Sequence, residues 1–153
     1  IFLVMSFKQK VLSHLLFLLE EKINSLQVIL VELEEGSQSD NKSSAGDKHE
    51  TARAMMQLEQ EKISKQLKEV LAQKTDLTKM GYTAPSLEIK KGSLVNTGRG
   101  FVFIAVAYGK IIVDETTVMA ISPSSPLGAA LLGKTRGSET HFNSIRYHIK
   151  SIE

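Results

Sequence analysis

Asp47 and Glu50 stand three residues apart in Ser43-Ser44-Ala45-Gly46-Asp47-Lys48-His49-Glu50-Thr51-Ala52-Arg53, a stretch between two long helical patterns. An acid followed three residues later by Glu has the spacing of a helix N-cap and its N3 partner, so the spacing predicts that Asp47 caps a helix. The same spacing gives a second chemistry. Two carboxylates at the end of a long hairpin can be delivered into another molecule's site, where hard oxygen ligands neutralise and place a weakly held divalent cation. The two roles are compatible, because a capping carboxylate can still face solvent.

Other chemistries find less support. His49-Glu50 opens like a zinc-protease helix motif, but Arg53 stands where the second His is needed. His14, His49, His141 and His148 show no metal-ligand spacing, and the chain has no Cys. That removes disulfides, Cys-based zinc sites and Cys nucleophiles. The serines find no Ser-His-Asp set, and His141 and His148 read as structural or exposed. Gly128-Ala-Ala-Leu-Leu-Gly133-Lys134-Thr135 formally matches a phosphate-loop pattern. The match fails on context: such a loop leaves a strand and enters a helix, whereas here the variable positions are themselves helix formers. Gly98-Arg99-Gly100 is a turn, too short for a dinucleotide fingerprint.

The elements that must carry the acids are two helices. Leu12, Leu16, Leu19, Ile23, Leu26, Leu30 and Leu33 step 4, 3, 4, 3, 4, 3, a sustained heptad seam. Leu15, Leu18, Ile29 and Val31 widen it. Gly36 reads as its stop, and Gly36–Ala45, rich in Ser, Asn and Gly, as a loop. A second helix is expected from about His49 to Met80, with Met56, Ile63, Val70 and Leu77 every seven and Leu67 between. Its alternate seam positions Arg53, Gln60 and Lys74 are polar, which makes it the weaker partner. Gly81–Pro85 then marks a boundary. Short apolar runs follow at 93–95, 100–107, 110–113, 118–121 and 145–152, an antiparallel sheet signature. In the last run Ile145, Tyr147 and Ile149 alternate with Arg146, His148 and Lys150, which predicts one buried face. One short helix interrupts the sheet: Ser125 as N-cap, Pro126 at N1, Leu127–Leu132 as body and Gly133 as stop.

The expected fold class is therefore α+β. An antiparallel coiled-coil arm covers 1–80, with its acidic tip near 46–50, and a sheet domain with one short helix covers 81–153. Residues 1–80 hold 11 Lys+Arg against 12 Asp+Glu, and residues 81–153 hold 8 against 5. Neither half is basic enough to argue nucleic-acid binding from charge alone, so DNA binding by the isolated protein is not expected. No apolar run approaches the roughly 18–20 residues needed to span a bilayer. No small-residue cleavage site follows Val11–Leu19, so neither a membrane partner nor a signal peptide is expected. Met5 reads as a plausible native start, with Ile1–Val4 a remnant ahead of it. The apolar surplus of the first helix leaves the oligomeric state open.

At Ser125-Pro126-Leu127-Gly128-Ala129-Ala130-Leu131-Leu132-Gly133-Lys134 the chain resembles the signature of the C-terminal domain of the bacterial transcript cleavage factors GreA and GreB. Gly109-Lys110, Ala120-Ile121-Ser122, Gly137-Ser138 and the closing Tyr147–Glu153 agree with that context. Gly46-Asp47-Lys48-His49-Glu50-Thr51-Ala52 is similar to the tip of the same family. The resemblance runs over nearly the whole chain from Met5. It implies a C-terminal domain of the fold shared with FK506-binding proteins. That domain would dock at the rim of the secondary channel of RNA polymerase through Ser124, Ser125 and Pro126, with Leu127 backing the loop. The coiled coil would thread the channel and bring Asp47 and Glu50 to the polymerase active centre. There they would help hold the second Mg²⁺ and position the water that hydrolyses backtracked RNA, close to the nascent 3′ end. On this resemblance the chain is an accessory factor and not an enzyme. It has no cofactor of its own, acts as a metal ligand only in complex with the polymerase, and works in the bacterial cytoplasm. The tip departs from the family at His49, Thr51, Arg53 and Ala54, where a small residue, Asn, an acid and an aromatic are usual.

Two other readings stand beside it. One is a regulator that occupies the same channel without promoting cleavage. The other, more remote, is a peptidyl-prolyl isomerase, suggested only by the implied fold. That activity needs an aromatic-lined pocket, and the C-terminal part offers Tyr82, Phe101, Phe103, Tyr108, Phe142 and Tyr147 but no Trp.

Overall fold

A computed structural model describes residues 4–40 and 46–153, with the side chains of 37–40, 46 and 47 outside the description. Two long helices come first: α1, Phe7–Asp40, and α2, Gly46–Met80. They pack together through the apolar stripes that the heptads lay down. On α2, Ile63, Val70 and Leu77 are buried at the expected interval of seven. On α1 the buried stripe is Val11, Leu15, Leu19, Ile23 and Leu26. Near the base it lies one residue off the expected seam, with Leu12 and Leu16 only half-buried. An α-helix turns every 3.6 residues, so steps of four and steps of three can both follow a packed face, and here the base takes successive steps of four.

Gly36 does not end α1. The helix runs four residues further, to Asp40, and a Cβ on Gly36 would come 2.8 Å from Met56 Cε. One glycine within a helix costs only about 1 kcal/mol, which packing outweighs. Of the expected loop, residues 41–45 lie outside the described residues.

By compactness the chain divides into one unit of residues 1–16 with 75–153 and a second of residues 17–74. The first unit thus includes the base of both helices as well as the sheet. Within it Phe7 meets Phe101 edge-on at 5.2 Å, Lys10 pairs with Asp114 at 2.8 Å, and Asp76 pairs with Lys91 at 2.7 Å.

The larger sheet has strands β1 Leu94–Asn96, β2 Phe101–Ile104, β3 Gly109–Val113, β4 Thr116–Ile121 and a late strand, β7, Ser151–Ile152. Their order is β3-β4-β2-β1-β7, and α3, Pro126–Leu131, follows β4. The layout is α+β, as expected. The sheet is antiparallel except for β2 and β4, which run parallel with Val102 opposite Met119. The β3–β4 hairpin causes this: it turns at Asp114-Glu115, both at positive φ, and inserts β4 beside β2. Ile89, Val95, Val102, Ile104, Leu131 and Ile149 form the core, with Leu127, Ile121 and Ile152 packed against it.

The run 145–152 is not one strand. Residues 145–148 form β6, Ile145–His148, which pairs with β5, Glu139–Phe142, in a separate two-stranded ribbon. Ile149 continues the ribbon's ladder, its N–H donating to Ser138 O and its C=O accepting from Gly137 N; at Lys150, whose N–H donates to Asn96 O, the chain changes partners and β7 joins β1. Ile149 is fully buried, but Ile145 lies at the ribbon's exposed end, so the expected single buried face holds only in part. The strand β5, Glu-Thr-His-Phe, has no apolar run to announce it.

Candidate functional site

The tip can be located from the hairpin's own register. Lys74 forms an ion pair with Glu20, and Met56 lies over Gly36. The midpoints of these two pairs are residues 47 and 46, at the start of α2. Asp47 is the second residue of α2 and Glu50 the fifth. Helical spacing sets positions three apart on one side of the helix. Asp47 is therefore inside the first turn and not the N-cap; helix formation begins at Gly46, one position ahead of it. Its side chain lies outside the described residues. Glu50 is exposed, and so are Lys48, Arg53 and Ala54. From position 50 to position 74 the helix extends about 36 Å at 1.5 Å per residue.

Over Gly46–Arg53 the two acids are balanced by Lys48 and Arg53. Among the described residues no group of three or more His, Cys, Asp or Glu could hold a metal ion. One or two carboxylates do not bind Mg²⁺ firmly alone. They do contribute when phosphates and water fill the remaining positions.

The second cluster, in the sheet unit, is built around one serine. Ser125 is extended, at φ −65° and ψ 156°, and its Oγ accepts from Gly128 N at 3.1 Å while donating to Ser122 O at 2.7 Å. Ser122 and Ser124 share a hydroxyl contact of 2.8 Å, and Ser124 N donates to Ser122 Oγ at 3.2 Å. Pro126 takes the first helical position, where its missing N–H costs nothing. Gly128 is fixed by close approach: a Cβ there would lie 2.2 Å from Ser122 O. Gly133, at φ 79°, closes α3 and donates to Ile89 O at 2.8 Å. Both glycines of the phosphate-loop match are thus structural. Of the four residues matched to a docking loop, Ser124 and Pro126 are exposed, Ser125 is held by its cap, and Leu127 rests on the core. The tip and this loop belong to different compact units.

Phe103 is fully buried and Phe101 packs on Phe7.

One residue with unusual surroundings escaped the sequence reading. Lys8 is 2% exposed, and its Nζ donates to Thr83 O at 2.7 Å and Thr83 Oγ1 at 2.8 Å. It also lies 5.3 Å from the centre of the Tyr82 ring. Burial pushes its pKa below the ordinary lysine value, with the Lys90 charge acting in the same direction. The signal was available: positions 8, 11, 15 and 19 fall on one helical stripe, and Lys8 is its only charge.

No family model, curated protein or solved structure matches this chain. No described helix is long and apolar enough to cross a membrane.

Proposed function

We propose that the chain is a Gre-like accessory factor of RNA polymerase that enters the secondary channel with the hairpin tip and acts on the polymerase Mg²⁺ site. The observation that carries this reading is the hairpin register, whose midpoints fall at residues 46 and 47, beside Asp47 and Glu50. An exposed carboxylate at the end of a rigid two-helix arm needs no pocket of its own. It lends oxygen ligands to an ion already held by phosphates and another protein's acids. The serine-capped α3 loop is the surface we assign to docking, through Ser124 and Pro126, with Ser125 holding the loop's shape and Leu127 anchoring it. Cleavage of backtracked RNA remains the polymerase's own chemistry, and the factor supplies position and charge.

The test uses arrested elongation complexes with added protein. The wild type is expected to shorten the RNA, and Asp47→Ala or Glu50→Ala to abolish shortening while still associating with polymerase. RNA left equally uncut by all three would refute the cleavage reading.

A second reading, a channel regulator that does not promote cleavage, is favoured by the balanced charge of the tip. Lys48 and Arg53 cancel Asp47 and Glu50, which weakens attraction for a second cation. It predicts polymerase association without RNA shortening, together with displacement of an active cleavage factor. Failure to displace would rule it out.

A further inference from the structure

The β5–β6 ribbon carries one acid, Glu139, and one cation, Arg146, besides His141 and His148, and two further cations stand on the segments bonded to it. Strand alternation sorts the ribbon's side chains onto two faces. Thr140 is buried and its hydroxyl donates to Ala130 O of α3 at 3.3 Å, so Thr140, Phe142, Ile145 and Tyr147 share the α3 side. The opposite face carries Glu139, His141, Arg146 and His148, with Glu139 across from His148 and His141 across from Arg146. The Thr97–Gly100 turn adds two more cations. Arg99 Nε donates to Arg146 O at 3.0 Å, and the Lys150 stem runs past Gly98, where a Cβ would come 3.0 Å from Lys150 Cε. The turn is held by Thr97 N and Oγ1 donating to Gly100 O at 3.0 Å and 2.8 Å. His148 N and Lys150 N tie it to the chain after β6, donating to Thr97 O and Asn96 O. Arg99, Arg146 and Lys150 thus stand on backbone segments bonded to one another, with one carboxylate, Glu139, beside Arg146 and His148. Glu139 lies 3.5 Å from Arg146 Nε and 3.4 Å from His148 Nδ1.

We propose that this face is a docking surface for the phosphate backbone of duplex DNA. The inference stands independently of the polymerase reading. Its chemistry selects the partner in three steps. Two guanidiniums and an ammonium stand on adjoining segments against one carboxylate, and guanidinium forks match oxyanions. The face carries no apolar side chain, so it lacks the desolvated anchor on which a protein interface depends. The aromatic residues Phe142 and Tyr147 lie on the other face, so no platform exists for stacking single-stranded bases. What remains is contact with a dense line of phosphates. The four-residue ribbon is about 13 Å long, over which a duplex presents about eight charges. Charge summed over a whole half of the chain hides such a cluster, which is why composition gave no ground to expect it.

The test is fluorescence anisotropy of a labelled mixed-sequence duplex with the full chain, at about 50 mM and about 200 mM salt. Three phosphate contacts give a slope near −2.7, so affinity is expected to fall about 40-fold between the two. The triple variant Arg99→Glu, Arg146→Glu, Lys150→Glu is expected to lose more than about tenfold at the lower salt, since charge reversal turns each attraction into repulsion. Glu139→Gln is expected to bind more tightly, a gain that misfolding cannot produce. Lys65→Glu with Lys68→Glu, exposed on α2, is expected to leave affinity unchanged. The proposal is overturned if the duplex does not bind, if Glu139→Gln binds no better, or if the α2 variant loses as much as the triple variant. It is equally overturned if a single strand of equal length binds better than the duplex, or if polyglutamate competes as well as the duplex per charge.

Discussion

The two parts that carry the resemblance are built on opposite principles. The α3 loop is closed on itself: Ser125, Pro126, Gly128 and Gly133 each have a local structural task that accounts for the residue type. At the tip, Glu50 is an exposed acid on an exposed turn, with Lys48 and Arg53 beside it. Local structure explains the loop's motif in full, whereas at the tip it offers only the favourable placement of acids near a helix N-terminus. A residue with a structural task is a weak witness to function, because folding alone accounts for it. An exposed residue without one is a stronger witness. Substitutions in the loop should therefore be read in stability, and substitutions at the tip in activity.

The largest effect is expected at Gly128. An added methyl 2.2 Å from Ser122 O has no flexible neighbour to displace, since the obstacle is backbone. Gly128→Ala should destabilise the sheet unit by more than about 4 kcal/mol, among the exceptional values for one substitution. Thermal unfolding followed by circular dichroism measures it. A loss under about 1 kcal/mol would show that α3 can shift away and that the loop is less closed than described.

Next comes Lys8, which belongs to the structural class despite its charge. Lys8→Met keeps the stem but leaves Thr83 O and Oγ1 short of a donor. Lost hydrogen bonds and relieved charge burial partly offset, for a net loss of about 1–2 kcal/mol in urea unfolding. The pH dependence has a definite sign. With the folded pKa below 10.5, the unfolded chain binds more protons between that lowered value and 10.5. Stability therefore rises with pH across the window, and the cost of burying the charge is fully present below it. The wild type should gain on Lys8→Met as pH climbs toward 10.5. A constant difference would mean that the ammonium is solvated.

Ser125→Ala should cost about 1 kcal/mol, as a lost N-cap does, with Ser125→Thr, whose hydroxyl can still donate to Ser122 O, recovering most of it. If polymerase docking fell while stability did not, the loop's serine would have a task beyond its cap.

The loop and the tip also differ in how they could be read from the chain. The α3 helix was fully legible, because Ser, Pro and Gly at fixed offsets are backbone requirements that precede any tertiary contact. The heptads of α1 and α2 were legible for the same reason, though the base seam was displaced by one residue at Val11 and Leu15, where the helix packs in the sheet unit. What failed depended on distant partners. Gly36 reads as a stop until Met56 is placed against it. The run 145–152 reads as one strand until Asn96 captures the backbone at Lys150. Strand β5 carries no local pattern, and the parallel β2–β4 pair follows from the β3–β4 hairpin, not from either strand. Asp47 reads as a cap because the sequence cannot fix which residue begins α2.

Two hairpin turns test the same contrast in the stabilising direction. Asn143-Ser144 and Asp114-Glu115 occupy positive φ at both positions, the geometry that favours Gly at the second. Ser144→Gly should gain about 0.5 kcal/mol, the relief of left-handed strain less the extra chain entropy. A loss would show that Ser144 contributes more through its side chain than its backbone costs.

The smallest stability effect is expected where the largest functional one is proposed. Glu50 is exposed on a helix whose buried positions, Ile63, Val70 and Leu77, lie well beyond it. Glu50→Ala should leave the melting temperature within the spread of surface substitutions, about 0.5 kcal/mol either way, while abolishing RNA shortening in arrested complexes. Arg53→Asp sharpens the point. It also leaves stability nearly unchanged, but it shifts the tip from balanced to net negative charge and so should lower the Mg²⁺ concentration needed for shortening. If Glu50→Ala instead unfolds the hairpin, the acid has a structural task after all and the distinction between loop and tip fails. If both variants fold and neither changes the RNA products, the arm binds without acting on the metal, and the reading of a non-cleaving channel regulator takes precedence.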